Sequence, residues 1–348
     1  MSFWSRISPA IAALFISSIA CVTLMDEQSA TSPSTQALLT GIPVTGTPAA
    51  TETPAVVAPA TCPVITDKVM EMSLLESGSE EGILDEEIYL VMYIVSGNEI
   101  SDPYYEDVGT DLQDEQNDLT THQQVWDYFT ALIPAGQRSV IGEYSITTDG
   151  EGGALASVTQ TYDDPNIWAL EVDIADSRNY HSLTFTLIHE FGHLLTLGPS
   201  QVPPSLAVFN NPDDNDIYLQ EVSACPQYFP SEGCANPDSY INAYFKKFWT
   251  KIHEEWNDIN LEEDEDVYYS RLDEFYYNYA DQFVTDYAAT NPEEDIAEVW
   301  SFFVLGPKPA GSTIAEEKIL FFYQYPELVQ LREEILDNLC NSFPDAKP

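Results

Sequence analysis

The stretch LTFTLIHEFGHLLTL, residues 183–197, decides how this chain is interpreted. Its leucine, isoleucine and phenylalanine residues recur at helical spacing. Ser182 is a candidate N-cap and Gly198-Pro199 is a stop signal, so a helix is predicted between them. Because the residues on both sides of the central polar group are apolar, we expect this helix to be buried.

Two histidines of this helix are four residues apart. His189 and His193 project from the same face, one turn apart, where both imidazoles can reach one metal ion. Glu190 points towards the same cleft without being placed as a ligand, and it can take a proton from a water there. This is the HExxH arrangement of zinc hydrolases. A polar surface stripe is the alternative, but buried histidines and a buried glutamate are costly unless a metal satisfies them.

Gly192 lies in the interior of the same helix. Glycine costs about 1 kcal/mol relative to alanine at such a position. We therefore expect another piece of backbone to pack closely against Gly192.

A hydrolytic zinc ion needs a third protein ligand and one open position. The best candidates are in YAATNPEEDIAE, residues 287–298, where Asn-Pro is typical of a helix start and acids suit the positive end of the helix dipole. Glu294 and Glu298 are four apart on that helix. We predict Glu294 as the ligand and Glu298 as the hydrogen-bond partner of a ligand histidine. Surface acids are the alternative interpretation, and the fallback ligands are Glu293, Asp295 and Glu298.

The HEFGH sequence followed by a glutamate helix resembles the gluzincin class of metallopeptidases. The pattern Tyr-x-x-Thr-Asn-x-x-Glu-x-x-Ala-Glu, residues 287–298, is similar to the catalytic domain of the anthrax lethal factor family. The resemblance implies His189, His193 and Glu294 as zinc ligands and Glu190 as general base. It also implies Tyr287 as the phenol that stabilises the oxyanion. About a hundred residues separate His193 from Glu294, more than that family usually has.

The fold predicted from the pattern is α+β. Strands are predicted at 88–95, 140–147, 154–162 and 168–174, and helices at 121–133, 237–256 and 264–279. The order β-α-β-β-β-α, with the metal helix last, resembles the N-terminal half of zincins, followed here by a mostly helical part. In zincins an edge strand binds an extended peptide by strand addition.

The N-terminus has the features of a targeting segment and a stalk. Residues 1–21 have a basic residue and a short apolar run typical of a signal peptide. Ser18-Ile19-Ala20-Cys21 loosely resembles a lipoprotein cleavage site, so a lipid anchor at Cys21 stays open. Residues 22–61 are rich in Thr, Pro and Ala and predict a disordered linker. The peptidase-like domain is predicted at 62–345, with an α/β part at 62–200 and a helical part at 201–345.

Four cysteines follow the signal segment, an even number in an exported protein. Three pairings are open. We favour Cys225–Cys234, which closes a short loop, and Cys62–Cys340, which joins the two ends of the domain.

The charge excludes some partners. With 58 acidic and 12 basic residues, the net charge is −46, which argues against nucleic acid and anionic membranes. The run NNPDDND, residues 210–216, offers oxygen ligands for a structural Ca²⁺, although the EF-hand glycine and glutamate are absent and a polar turn is favoured. His253 is interpreted as a solvated helix residue, with a second donor or an alternative ligand as the other interpretation.

The sequence thus predicts a secreted or surface-anchored zinc metalloendopeptidase that acts on a protein or peptide substrate. A non-catalytic binding module is the second hypothesis, with His253 or Asp295 closing a structural zinc site. A zinc hydrolase with a non-peptide substrate is the third.

Overall fold

The computed structural model describes residues 62–73 and 87–344. The predicted signal peptide, with Cys21, and the predicted linker lie outside the described residues. Within the described ranges, no helix combines the length and apolar character needed to cross a bilayer.

The described chain begins with a helix, continues through a sheet and ends in a largely helical part. The first half contains α1 (Cys62–Ser73), β1 (Ile88–Ser96), β2 (Glu99–Tyr105), α2 (Gln113–Gln116), α3 (Leu119–Leu132), β3 (Ile141–Thr148), β4 (Ala156–Gln160), β5 (Trp168–Asp173) and α4 (Tyr180–Leu197). The second half contains α5 (Leu206–Phe209), α6 (Asn215–Ala224), α7 (Tyr240–Tyr244), a π-helical turn (Phe245–Trp249), α8 (His253–Asn260), α9 (Glu265–Asn278), a 3₁₀ turn (Tyr287–Ala289), α10 (Pro292–Leu305), α11 (Ile314–Phe322) and α12 (Pro326–Ser342).

The five strands form one mixed sheet in the order β2-β1-β3-β5-β4. β1 pairs antiparallel with β2 and β3, β3 pairs parallel with β5, and β4 pairs antiparallel with β5. Every residue of β5 is buried, as expected for a central strand. β4 is an edge strand, and it contacts α4. The fold is therefore α+β with a small mixed sheet, as predicted.

The helix predicted from the HEFGH stretch lies in the core. Leu183, Leu187, Ile188 and Phe191 are fully buried, in one continuous cluster with apolar residues of β3 and β5. On another side α4 packs against α10, which in turn contacts α11 and α12. The sheet and the helical part thus share one core, with α4 between them.

Both predicted disulfides are confirmed. Cys62–Cys340 joins α1 to α12 with a Cα–Cα distance of 5.2 Å, and Cys225–Cys234 closes a short loop at 5.5 Å. Disulfides persist in oxidising compartments, so both bonds fit an extracellular environment.

Several element predictions need correction. No strand was predicted directly after β1, but the acidic segment there contains β2. This strand is exposed along most of its length, so its sequence has no alternation of apolar and polar residues. The long helix expected at 237–256 is instead α7, a π-helical turn and the start of α8. The cap of α4 is Asn179 rather than Ser182, because the Asn179 side chain accepts the backbone N–H groups of His181 and Ser182.

Candidate metal centre

The motif helix α4 carries its polar residues into a buried region. His189, Glu190 and His193 are each less than 10% exposed, although each is ionisable. Such groups are rarely buried without a partner or a metal. Their side-chain ligand atoms lie close enough together to hold one ion.

The second helix of the site, α10, is built as the sequence predicts. Asn291 accepts the backbone N–H of Glu294 at 2.7 Å, and Pro292 is the first helical residue. α10 crosses α4 at Gly192, where an added Cβ would lie 3.1 Å from Ala297 Cα. The expected close backbone approach at Gly192 is therefore confirmed, and it brings the first turns of α10 to the histidines.

Three ligand-type atoms converge at this crossing. His189 Nε2 lies 3.0 Å from Glu294 Oε2 and 3.1 Å from His193 Nε2, and His193 Nε2 lies 3.3 Å from Glu294 Oε2. The structure thus brings together His189, His193 and Glu294, three residues from two helices that are about a hundred positions apart in the chain.

The other nitrogen of His189 is held by Glu298. His189 Nδ1 lies 2.9 Å from Glu298 Oε1, and Thr285 Oγ1 donates to Glu298 Oε2 at 2.7 Å. A carboxylate only accepts, so Nδ1 carries a proton and Nε2 is the nitrogen that faces the centre. Glu298 therefore lies where a histidine-orienting residue was predicted. Thr285, which holds Glu298 in turn, was not predicted.

The electrostatics of the three atoms favour a cation between them. Burial alone would lower the pKa of His189, but hydrogen bonds and negative charge from Glu294 and Glu298 outweigh it and raise that pKa well above its usual value. Burial would raise the pKa of Glu294, and the two histidines instead hold it far below its ordinary range. The centre thus stabilises positive charge on its imidazoles.

A zinc ion fits this donor set. Glu298 keeps a proton on His189 Nδ1, so His189 Nε2 faces Glu294 Oε2 and His193 Nε2. These three atoms would repel one another through their lone pairs unless a proton or a metal ion lay between them. Tetrahedral zinc with bonds of about 2.0–2.1 Å separates its ligands by roughly 3.3 Å. The distances of 3.0–3.3 Å are close to that value. Two imidazoles and one carboxylate are also a set that catalytic zinc uses.

Glu190 lies on the sheet side of the centre. Burial raises its pKa to about 7, and the two histidines, followed by the backbone of Val158 in β4, partly offset that rise. The edge strand β4 therefore lies near the candidate base.

Tyr287 lies beside the centre at the surface. Its ring centroid is 5.9 Å from that of His189, and about half of the residue is exposed. The negative charge of Glu294, followed by burial, raises the Tyr287 pKa well above its ordinary value, so the phenol keeps its proton. It can act as a donor to a group bound at the centre.

Other predicted ligands lie elsewhere. His253 packs edge-on against Phe245, with 4.8 Å between ring centroids, and burial lowers its pKa to about 4; it is not a solvated residue. Asp295 is bonded to Lys318, and Glu293 accepts a hydrogen bond from Tyr228 at 2.7 Å. Each of these two carboxylates is engaged by another partner, whereas Glu294 contacts both histidines.

Two further groups of acidic residues contain oxygen atoms of the kind that bind cations: one loop, and one cluster from separate parts of the chain. In the loop at 210–216, Asp214 accepts the backbone N–H of Ile217 as the cap of α6, which is the favoured polar-turn interpretation. Sequence reasoning missed a second group, Asp149, Asp173 and Asp176, whose carboxylates lie close together. Asp149 follows β3 and Asp173 ends β5, and parallel neighbours end at the same edge of a sheet.

No family model, curated protein or solved structure matches this chain. Its function must therefore be argued from the site.

Proposed function

We propose that this protein is an exported zinc-dependent peptidase with a zincin-like arrangement of sheet and helices. The observation that carries the proposal is the convergence of His189 Nε2, His193 Nε2 and Glu294 Oε2 within 3.3 Å of one another. Such a set has two imidazoles and one carboxylate, and it leaves one position of a tetrahedral ion open.

A bound zinc ion would lower the pKa of a water and polarise a carbonyl group. The chain's own residues supply the rest. Glu190, with its pKa near 7, suits a group that accepts a proton from water and passes it to the leaving amine. Glu298 keeps the His189 imidazole in the tautomer whose Nε2 is free to bind. In this proposal the Tyr287 phenol, whose ring lies 5.9 Å from that of His189, donates to the oxygen that gains negative charge.

The edge strand favours a peptide over other substrates. Among the described residues β4 pairs with β5 alone, so it is an edge to which a further strand can be added. The backbone of Val158 lowers the pKa of Glu190, and β4 contacts α4, so this edge lies near the proposed base. An extended substrate added to β4 would run past the centre.

The binding-module hypothesis is less well supported. A structural zinc ion needs a fourth protein ligand. The two candidates for that position, His253 and Asp295, are held by an aromatic cluster and by Lys318. Neither is free to close the site, so a closed site would have to use Glu190, which lies with the two histidines.

The test uses zinc analysis and peptide digestion of the same preparations. We expect about one zinc per chain and cleavage of a peptide library that stops when a chelator is added. Glu190→Gln should keep the zinc and lose turnover by at least about a hundredfold. Wild-type turnover in Glu190→Gln would remove Glu190 as the base. Zinc binding without cleavage of any peptide would favour the binding module or a non-peptide substrate.

A further inference from the structure

Three consecutive acids begin α10, and only one of them contacts the histidines. Glu293, Glu294 and Asp295 point in different directions, because an α-helix turns by about 100° per residue. Any of the three carboxylates could bind zinc on chemical grounds. If α10 were rotated about its own axis, a carboxylate other than that of Glu294 would face the two histidines. Contacts outside the centre must therefore fix the rotation of the helix.

One of these contacts is a buried ion pair. Asp295 and Lys318 are both fully buried, and Lys318 Nζ donates to Asp295 Oδ2 at 2.6 Å. The same oxygen accepts the indole N–H of Trp249 at 2.7 Å. Trp249 ends the π-helical turn and Lys318 belongs to α11, so two separate elements hold one side chain of α10.

The surroundings of the pair make its geometry restrictive. Lys318 Nζ lies 4.2 Å from the centroid of the Phe283 ring and 5.9 Å from those of Tyr244 and Trp249. An ammonium enclosed by aromatic faces has few other acceptors, so Asp295 is its principal one. Buried ion pairs seldom raise stability over an apolar replacement, and their best-attested role is to specify one arrangement among several.

We propose that Asp295 and Lys318 form a positioning pair that fixes the rotation of α10 so that Glu294 faces His189 and His193. The proposal rests on the proposed zinc site. Asp295 holds α10 on the side away from the centre. Glu294 and Glu298, which are one turn apart, both contact His189 on the other side. The pair touches no ligand itself and acts through Glu294.

The experiment measures zinc affinity and metal-free stability in the double variant Asp295→Asn with Lys318→Met. The asparagine oxygen can still accept from Trp249, and methionine fills the space of the lysine stem. We expect the metal-free Tm to stay within about 5 °C of wild type. Zinc affinity should fall roughly 10–100-fold, as when groups that orient metal ligands are lost. The visible spectrum of bound Co²⁺ should also change, because it depends on coordination geometry.

The matched control is Arg332→Met. Arg332 bonds the Phe303 and Gly306 carbonyls at the far end of α10, so its loss weakens the helix without freeing its first turn. We expect a lower Tm with unchanged zinc affinity. Wild-type affinity in the double variant, or an equal loss of affinity in Arg332→Met, would overturn the positioning role.

Two further variants keep the result decisive. Trp249→Phe removes one donor to Asp295 and keeps a ring; a severalfold loss of zinc affinity is expected. If the double variant does not fold, wild-type affinity in Trp249→Phe refutes the proposal. Glu294→Ala tests the zinc site separately from the positioning pair. If this variant binds zinc like wild type, the proposed zinc site is wrong, and the positioning pair then has no ligand to position.

Discussion

At the scale of single residues, the candidate centre depends on side chains that do not contact the three converging atoms of His189, His193 and Glu294. Glu298 is the clearest case, because it decides which nitrogen of His189 is protonated. Thr285 in turn orients Glu298 by donating to its second oxygen. A ligand histidine without such a partner spends part of its time in the wrong tautomer or rotamer.

Replacement of Glu298 should therefore weaken metal binding. We expect Glu298→Ala to reduce zinc affinity by roughly 10–100-fold, measured by competition with a chromophoric chelator. Thr285→Val should have a smaller effect in the same direction. Glu327→Ala is the control, since this carboxylate has an exposed hydrogen bond to Tyr240. Equal affinities of Glu298→Ala and Glu327→Ala would contradict the orienting role.

Tyr287 should matter for turnover and not for the metal. It is half exposed and lies beside His189, so removal of its hydroxyl leaves the three ligand atoms in place. We expect Tyr287→Phe to keep one zinc per chain and to lower kcat by roughly 10–1,000-fold, with little change in KM. A kcat equal to wild type would show that another donor serves the oxyanion.

At the scale of elements, the site depends on how closely α4 and α10 cross. A Cβ on Gly192 would lie 3.1 Å from Ala297 Cα and equally close to a ring carbon of Trp300. Ala297 belongs to the backbone of a helix that is fixed at several points, and Trp300 is fully buried. A shift of the Ala297 backbone would displace α10, which carries Glu294.

Gly192→Ala should accordingly destabilise the protein. Helix propensity alone would favour alanine by about 1 kcal/mol. The forced separation of the helices should outweigh it, since overpacking costs about 1–3 kcal/mol. Gly136→Ala is the control, because nothing lies within 4 Å of the position that its Cβ would take. Chemical denaturation should give a lower unfolding free energy for Gly192→Ala only; a gain in stability there would refute the argument.

The elements also explain which predictions could be made from the sequence. Strong apolar periodicity predicted the strands that became β1, β3, β4 and β5, and the capping residues of α10 predicted its start. β2 was missed because it is an exposed edge strand with Pro103 in its sequence. The break at the π-helical turn was missed because residues 245–249 continue a helical pattern.

The site was predictable in the same uneven way. HEFGH marks two histidines and a glutamate within five residues, so their meeting needs only one helix. The choice of Glu294 over its neighbours depends on Lys318 and Trp249, which lie 23 and 46 positions from Asp295 and carry no local signal. Tertiary contacts of this kind have no pattern in the sequence.

At the scale of the whole molecule, the excess of acidic residues determines how stability depends on salt and pH. The net charge of −46 makes the folded chain repel itself, and salt screens that repulsion. Some acids are also buried near others. Burial, helped by neighbouring negative charge, raises the pKa values of Glu87 and Asp173 to about 7 each.

These two acids predict that stability rises as the pH falls. A carboxyl group with a higher pKa in the folded state binds its proton more tightly there than in the unfolded chain. Its contribution is complete below the ordinary pKa values of 4.5 and 3.8, and it is lost as the pH rises through about 7. We therefore expect Tm to rise by several degrees from pH 8 to pH 5, measured with a chelator present so that metal occupancy stays constant. Asp173→Asn should flatten this dependence, whereas Glu99→Gln, which removes an exposed charge, should preserve it. A Tm that falls between pH 8 and pH 5 would contradict the assignment.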